Sequence, residues 1–169
     1  MELSASRQLQ SERLMSSPPR EQLVVWRTFL EAAFALIDIL DAELQQERDI
    51  SLRWYDVLVH LEEAEHGVRM NELASRILAS KSGLTRVIDR MEEAGLVERR
   101  RPAEDRRVIE IVMTRSGQKA LTNARSVHRR GINEHFAQHL NERDFAALSR
   151  ALEKVRDHVR PLRPGRISS

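Results

Sequence analysis

The sequence has little of what several classes of protein require. Its 169 residues include no cysteine, which excludes disulfides, thiolate metal ligands and sensing by cysteine oxidation. Aromatic residues make up only 4% of the chain and charged residues 32%, whereas strands draw on aromatic and β-branched side chains. The composition therefore favours a mostly helical protein.

Glycine and long apolar runs are also scarce. There are six glycines, and no glycine-rich loop that could hold a phosphate follows a predicted strand. The longest strongly apolar stretch, "AAFALI" at 32–37, is too short to span a membrane, and the N-terminus lacks the apolar core of a signal peptide. We expect a cytoplasmic protein with no membrane partner.

Helical periodicity covers most of the chain. From Glu21 to about Arg48 apolar side chains recur every three or four residues, which predicts a long amphipathic helix. Ser51 is suited to cap a second helix, which would end near Gly67 in a positive-φ turn. Thr114 and Asn141 are suited to cap two later helices. The last helix carries an apolar stripe formed by Phe145, Leu148, Leu152, Val155 and Val159.

Between these helices lies a helix-turn-helix pattern. Two short apolar faces, one ending at Ile77 and one beginning at Leu84, flank the segment "ASKS", and Gly95 is placed to stop the second helix. Next, "LVERRR" and "RRVIEIVMT" predict two strands of a hairpin, with "RRRPAEDRR" at 99–107 at its tip. The predicted fold class is mostly α with one small β-hairpin.

The polar face of the second short helix is suited to DNA. It carries Ser82, Thr85, Arg86, Asp89 and Arg90 opposite the apolar face, and the major groove admits one α-helix whose N-terminal side chains reach base edges. Asp89 and Arg90 could equally pair within the domain. A hydroxyl at Ser80 would either contact phosphate or cap the helix.

Positive charge is concentrated in the same region. Lys and Arg exceed Asp and Glu by two in the whole chain, but by three between Arg76 and Arg107. An arginine-rich hairpin beside a groove-reading helix is well placed to enter the neighbouring minor groove, where the negative potential is strongest when the groove is narrow. The alternative is a solvated loop.

Residues 71–117 resemble the MarR-type winged helix-turn-helix transcriptional regulators. The motif "LTRVIDRMEEAGLVERR" followed by "DRR" carries the likeness. The resemblance implies that Asp105 orients basic neighbours in the wing and that Arg106 or Arg107 enters the minor groove. With the helix residues, the predicted DNA contacts are Ser80, Lys81, Ser82, Thr85, Arg86, Arg90, Arg99, Asp105, Arg106 and Arg107.

The resemblance also implies a ligand-responsive homodimeric repressor on a pseudo-palindromic operator. The predicted organisation is a flexible arm at 1–20, a dimerisation helix at 21–48, a winged helix-turn-helix at 49–115, dimerisation helices at 116–160 and a flexible tail at 161–169.

A small aromatic or anionic effector is the implied signal. Candidate residues for its cleft are Trp26, Trp54, Asp56, His60 and Arg86. Some family members sense urate with a Trp, an Asp on the second helix and an Arg on the recognition helix, and Trp26, Asp56 and Arg86 have those residue types. Either tryptophan could instead belong to the core.

Other functions are less well supported. Asp56 and His60 have general-base spacing, but no nucleophile lies near them in the sequence, so we expect no enzyme. His135 and His139 have metal-ligand spacing on one predicted helix, yet we expect solvated histidines and no metal or cofactor. A winged-helix protein-interaction module without specific DNA binding remains the alternative, although its recognition face would be apolar or acidic.

Overall fold

The computed structural model describes residues 17–64, 67–77, 81–102 and 108–159, with Lys81 and Ser82 described by their backbone alone. The predicted contacts Ser80, Asp105, Arg106 and Arg107 lie outside the described residues, as do residues 1–16 of the predicted arm and the whole predicted tail.

Helices dominate the described chain, as the composition predicts. They are α1 Arg20–Arg48, α2 Leu52–Glu63, α3 Met70–Arg76, α4 Lys81–Glu93, α5 Arg115–His135 and α6 Glu142–Val159, with a 3₁₀ turn at Ala137–His139. The strands are β1 Val68–Arg69, β2 Val97–Arg100 and β3 Glu110–Met113. Within the described residues, no helix is long and apolar enough to cross a bilayer.

Three helices begin at the predicted capping side chains. The hydroxyl of Ser51 accepts a hydrogen bond from the backbone N–H of Trp54 at 3.2 Å, and that of Thr114 accepts one from Gly117 at 3.0 Å. The side-chain oxygen of Asn141 accepts two N–H groups in the first turn of α6. These bonds satisfy backbone donors that a helix start would otherwise leave unpaired.

The two glycines predicted to end helices behave differently. Gly95 takes a φ of 70° directly after α4, as predicted. The prediction for Gly67 is wrong: α2 ends at Glu63 with Ala64 in the right-handed region, and positive φ among the described glycines occurs at Gly95. At Gly67 a side chain would instead collide with Glu110 on β3. Close approach of a strand therefore explains this glycine.

The sheet contains a strand that the sequence did not predict. Its order is β1-β3-β2 and both pairings are antiparallel. Ile111 on β3 lies opposite Val68 on β1 and opposite Arg99 on β2. β1 has only two residues, too few to show a period-2 pattern.

The core packs α2 to α5 against this sheet. Leu84, Ile88 and Met91 of α4 are fully buried and Val87 is 8% exposed. Ile111 of the sheet belongs to the same cluster. The apolar face of α4 is therefore held inward, and its polar face is left at the surface.

The chain divides into two compact units, residues 1–36 and 37–169, so the boundary falls within α1. In the first unit the large apolar side chains on α1 are exposed: Leu23, Val24, Val25, Trp26, Phe29 and Phe34. The second unit contains the core. Its last helix, α6, contributes no buried residue.

The interpretation of His135 and His139 as neighbours on one solvated helix is wrong. α5 ends at His135, and His139 belongs to the following 3₁₀ turn. His135 is partly buried and its Nε2 lies 2.6 Å from Glu43 Oε1. The ring of His139 instead donates to the carbonyl oxygen of Glu134.

Candidate nucleic-acid interface

The exposed face of α4 carries the groups that the sequence assigned to DNA. Thr85, Arg86, Asp89 and Arg90 are all exposed. They lie opposite the buried apolar residues because a helix turns by roughly 100° per residue. Lys81 begins the helix and Arg90 lies in its last turn. Of the predicted contacts, Lys81 and Ser82 therefore belong to the first turn, where the helix dipole favours phosphate.

Arg99 on β2 has partners within the protein. Its Nη2 lies 2.5 Å from Asp89 Oδ1, and its Nη1 pairs with Glu92 Oε2. The backbone N–H of Arg99 also donates to Glu92 Oε1 at 2.9 Å. We call Arg99, Asp89 and Glu92 the wing clamp, since they tie the first wing strand to the recognition helix.

The wing clamp keeps Arg99 charged. Burial lowers the pKa of its guanidinium, but the hydrogen bonds to Asp89 and Glu92 outweigh this, so the pKa is raised overall. The sequence predicts Arg99 as a DNA contact and leaves Asp89 able to pair within the domain. It missed Glu92, whose only signal was its position three residues after Asp89 on the same helix.

Arg100 and Arg101, which follow Arg99 in the chain, do not belong to the wing clamp. Arg100 lies on the other face of β2, where its Nη2 is 3.8 Å from Glu110 Oε2, and Arg101 is exposed. Cross-strand pairing explains this, since Arg100 lies opposite Glu110 while Arg99 lies opposite Ile111. Successive side chains on a strand alternate between faces.

A second polar cluster lies where α2 meets α5. Asp56 Oδ1 is 3.6 Å from His60 Nε2, and the ring of His128 stacks 4.4 Å from that of Tyr55. Burial raises the pKa of Asp56 and lowers that of His128. Burial thus disfavours the charged form of each group, so Asp56 can donate a hydrogen bond at a higher pH than a solvated carboxyl group.

The structure brings together only part of the predicted effector set. Asp56 and His60 lie on one side of α2, whereas Trp54 packs against the core. Trp26 lies in the first unit, exposed, with its ring 6.0 Å from that of Phe29. Arg86 is on the exposed face of α4. A role for Trp26, Trp54 or Arg86 in ligand binding stays a prediction.

A separate cavity of about 490 Å³ is bordered by the outer face of the sheet and the ends of two helices. Its lining residues are Leu61, Glu62, Gly67, Arg100, Val112, Met113 and Gln118. This lining includes none of the predicted effector residues. Glu62 is held there by Arg125 and by Gln118, whose side-chain nitrogen donates to it at 2.9 Å.

Sequence comparison links the chain to known regulators. A sequence profile of the MarR family matches residues 48–108. The chain is 31% identical over 145 residues to the HTH-type transcriptional regulator PecS of Dickeya dadantii, covering 84% of this chain and 79% of that protein. Shorter alignments with a Bacillus subtilis regulator and an Escherichia coli transcriptional repressor span 65% and 58% of those proteins.

Solved structures agree with the sequence matches. AbsC, a MarR family transcriptional regulator from Streptomyces coelicolor, aligns with a TM-score of 0.79 and 31% identity over 87% of this chain and 99% of that one. Sco3205, from the same organism and family and solved in complex with DNA, aligns with a TM-score of 0.78 and 27% identity over 85% and 91%. The structural likeness therefore extends beyond residues 48–108 to the helices on either side of that range.

The wing clamp predicts a measurable coupling between β2 and α4. We propose a double-mutant cycle of Arg99→Ala and Glu92→Ala, with the free energy of unfolding of each variant measured in urea. The expected coupling energy is roughly 0.5–1 kcal/mol, because the pair is partly exposed. The coupling should shrink at high salt because the ions are screened.

The control is a double-mutant cycle that combines Arg101→Ala with Glu92→Ala. Arg101 is an exposed neighbour of the wing clamp, so we expect additive effects within about 0.5 kcal/mol. Equal coupling in the two cycles would show that the wing clamp does not join these elements.

Proposed function

The chain belongs to the MarR family of transcriptional regulators, and on that premise we propose that it is a homodimeric repressor that binds a pseudo-palindromic operator and responds to a small effector. Its family and relatives are regulators rather than enzymes. The finer parts of the proposal rest on the residues described below.

DNA reading is assigned to the exposed face of α4. The observation that carries this assignment is a helix whose apolar side is fully buried while Thr85, Arg86 and Arg90 face outward. An arginine fork on such a helix can hold two acceptors of a guanine in the major groove. The same polar, basic face argues against a protein-interaction module, which would present apolar or acidic groups.

The wing is assigned a supporting contact. We infer that Asp105 orients its basic neighbours and that Arg106 or Arg107 enters the minor groove, as the family resemblance implies. Arg99 then acts as a positioning residue through the wing clamp. Likeness to a relative solved in complex with DNA supports this arrangement.

Dimerisation is inferred from apolar surface that the described chain leaves uncovered. On α6, Leu152 is 40% exposed and Val155 57% exposed. Both belong to a stripe at helical spacing with Phe145 and Val159. A second copy would cover such a surface, and a two-fold dimer presents its recognition helices to successive major grooves about 34 Å apart.

The effector is assigned to the side of α2 that carries Asp56 and His60. These side chains are half-buried, and burial raises the pKa of Asp56. A carboxyl group with a raised pKa takes up a proton at a higher pH than a solvated one, and once protonated it can donate to an acceptor atom on a planar aromatic anion. The imidazole of His60 offers a second polar contact. We infer that ligand binding here weakens DNA binding.

Loss of the Arg86 guanidinium should impair specific DNA binding. We expect Arg86→Ala to weaken binding to the DNA upstream of the protein's own gene by roughly 1–3 kcal/mol, with a smaller effect on a scrambled duplex. Fluorescence anisotropy over a salt series measures both, since phosphate contacts appear in the slope of log K against log[salt].

The matched control is Arg129→Ala, which removes the same charge from an exposed position on α5. It should leave specific binding close to that of the parent. If the native and scrambled duplexes bind the parent equally weakly, the interaction-module alternative is preferred.

A charge within the α6 stripe should separate the subunits. We expect Val155→Glu to shift sedimentation at micromolar concentration from dimer towards monomer, because a buried unpaired carboxylate opposes association. Lys154→Glu alters an exposed neighbouring position outside the stripe and should remain dimeric. A dimeric Val155→Glu protein would place the interface elsewhere.

Removing the Asp56 carboxyl group should blunt the effector response. Urate is the first probe and salicylate the second, and we expect each to lower the DNA affinity of the parent. Asp56→Asn should need roughly tenfold more ligand for the same effect, a loss of about 1.4 kcal/mol. Asp38→Asn, at an exposed position on α1, should respond like the parent. An unchanged response in Asp56→Asn would exclude this site.

A further inference from the structure

Three side chains of metal-binding types meet where α1 approaches the end of α5. Glu43 comes from α1, and Glu134 and His135 are the last two residues of α5. One ligand atom from each of the three lies within 4.8 Å of the others. We call these three residues the helix-end cluster. The sequence does not indicate this cluster, because Glu43 and His135 are 92 residues apart in the chain.

One carboxylate oxygen of this cluster has no hydrogen-bond partner. Glu43 Oε1 is 2.6 Å from His135 Nε2, but Glu43 Oε2 is buried without a partner, the one such side-chain atom among the residues that the structure describes. Leaving a buried acceptor unsatisfied costs roughly 1–3 kcal/mol. An ion pair with His135 accounts for Oε1 and leaves Oε2 unexplained.

Gly131 lets the carboxylate lie against α5. A Cβ at this position would be 2.5 Å from Glu43 Oε2 and 2.5 Å from Leu40 Cδ2. The glycine is buried and one turn before His135. The backbone of α5 therefore forms one wall of the cluster, and Glu43 Oε2 is shielded from water on that side.

The neighbouring cation, Arg130, pairs mainly outside the helix-end cluster. Arg130 pairs with Glu47 on α1, and its Nε is 3.8 Å from Glu134 Oε1. That contact is long and solvent-exposed, so it leaves the Glu134 carboxylate available at little cost. Two carboxylates and one imidazole are then the groups that face one another.

We propose that the helix-end cluster binds one divalent transition-metal ion of the zinc class. Imidazole and carboxylate ligands suit Zn²⁺, which binds both at about 2.0–2.2 Å. Glu43 supplies the oxygen that now lacks a partner, His135 supplies its neutral Nε2, and Glu134 supplies a third ligand from the exposed side. Water completes the shell. The ion replaces the Glu43–His135 hydrogen bond and joins α1 to the end of α5.

Zinc binding to the untagged full-length protein tests the proposal directly. Competition with a chromophoric zinc chelator should give one zinc per chain, and the thermal unfolding temperature should rise with the logarithm of the ratio of free zinc to the dissociation constant. Glu43→Gln and His135→Gln, which keep side-chain size and polarity, should each weaken binding by at least about tenfold.

Two variants control for charge and for the neighbouring histidine. Glu47→Gln removes a carboxylate one turn from Glu43 on the same helix, and His139→Ala removes the histidine that spacing alone would pair with His135. Both should bind zinc like the parent. The proposal fails if the parent binds no stoichiometric zinc, if Glu43→Gln binds normally, or if Glu47→Gln or His139→Ala is equally impaired. The zinc-binding and thermal-unfolding measurements do not depend on DNA binding.

Discussion

The ion pairs of Arg99 with Asp89 and Glu92 join the hairpin to the helix that we propose reads DNA. Burial of Leu84 and Ile88 fixes which side of α4 faces the core, but it does not fix the outer half of the helix relative to the wing. The wing clamp adds a link there, because one guanidinium on β2 pairs with two carboxylates on α4. It also offsets part of the negative charge of Asp89 and Glu92, which would otherwise oppose the approach of phosphate.

The distribution of apolar burial separates two roles along the chain. The core is supplied by α2 to α5 and the sheet, while α1 contributes Leu44 and α6 contributes nothing. Helices with exposed apolar stripes gain little from folding alone, since stability comes mainly from packing an amphipathic face. If a second copy covers them, stability and the spacing of the two recognition helices depend on the same contact.

Local signals predicted most of the elements, and long-range contacts explain what they missed. Ser51, Thr114 and Asn141 cap helices as expected because capping depends on residues two or three positions away. Gly67 could not be interpreted correctly, since its neighbour Glu110 lies on a distant strand. The same limit hid Glu92 as a partner of Arg99 and Glu43 as the partner of His135. The chemistry of a site follows from residue type, but its partners follow from the fold.

The two ends of α5 connect the proposed DNA-reading and metal-binding sites. At its start, the hydroxyl of Thr114 donates to the carbonyl oxygen of Gly95 at 2.6 Å, so α5 begins on the turn between α4 and β2. At its far end, Glu43 and Glu47 of α1 pair with His135 and Arg130. A rigid helix held at both ends transmits displacement only if one end has two stable arrangements. In the metal-binding proposal, the Glu43–His135 hydrogen bond and a shared metal ion are two alternative arrangements of this end of α5.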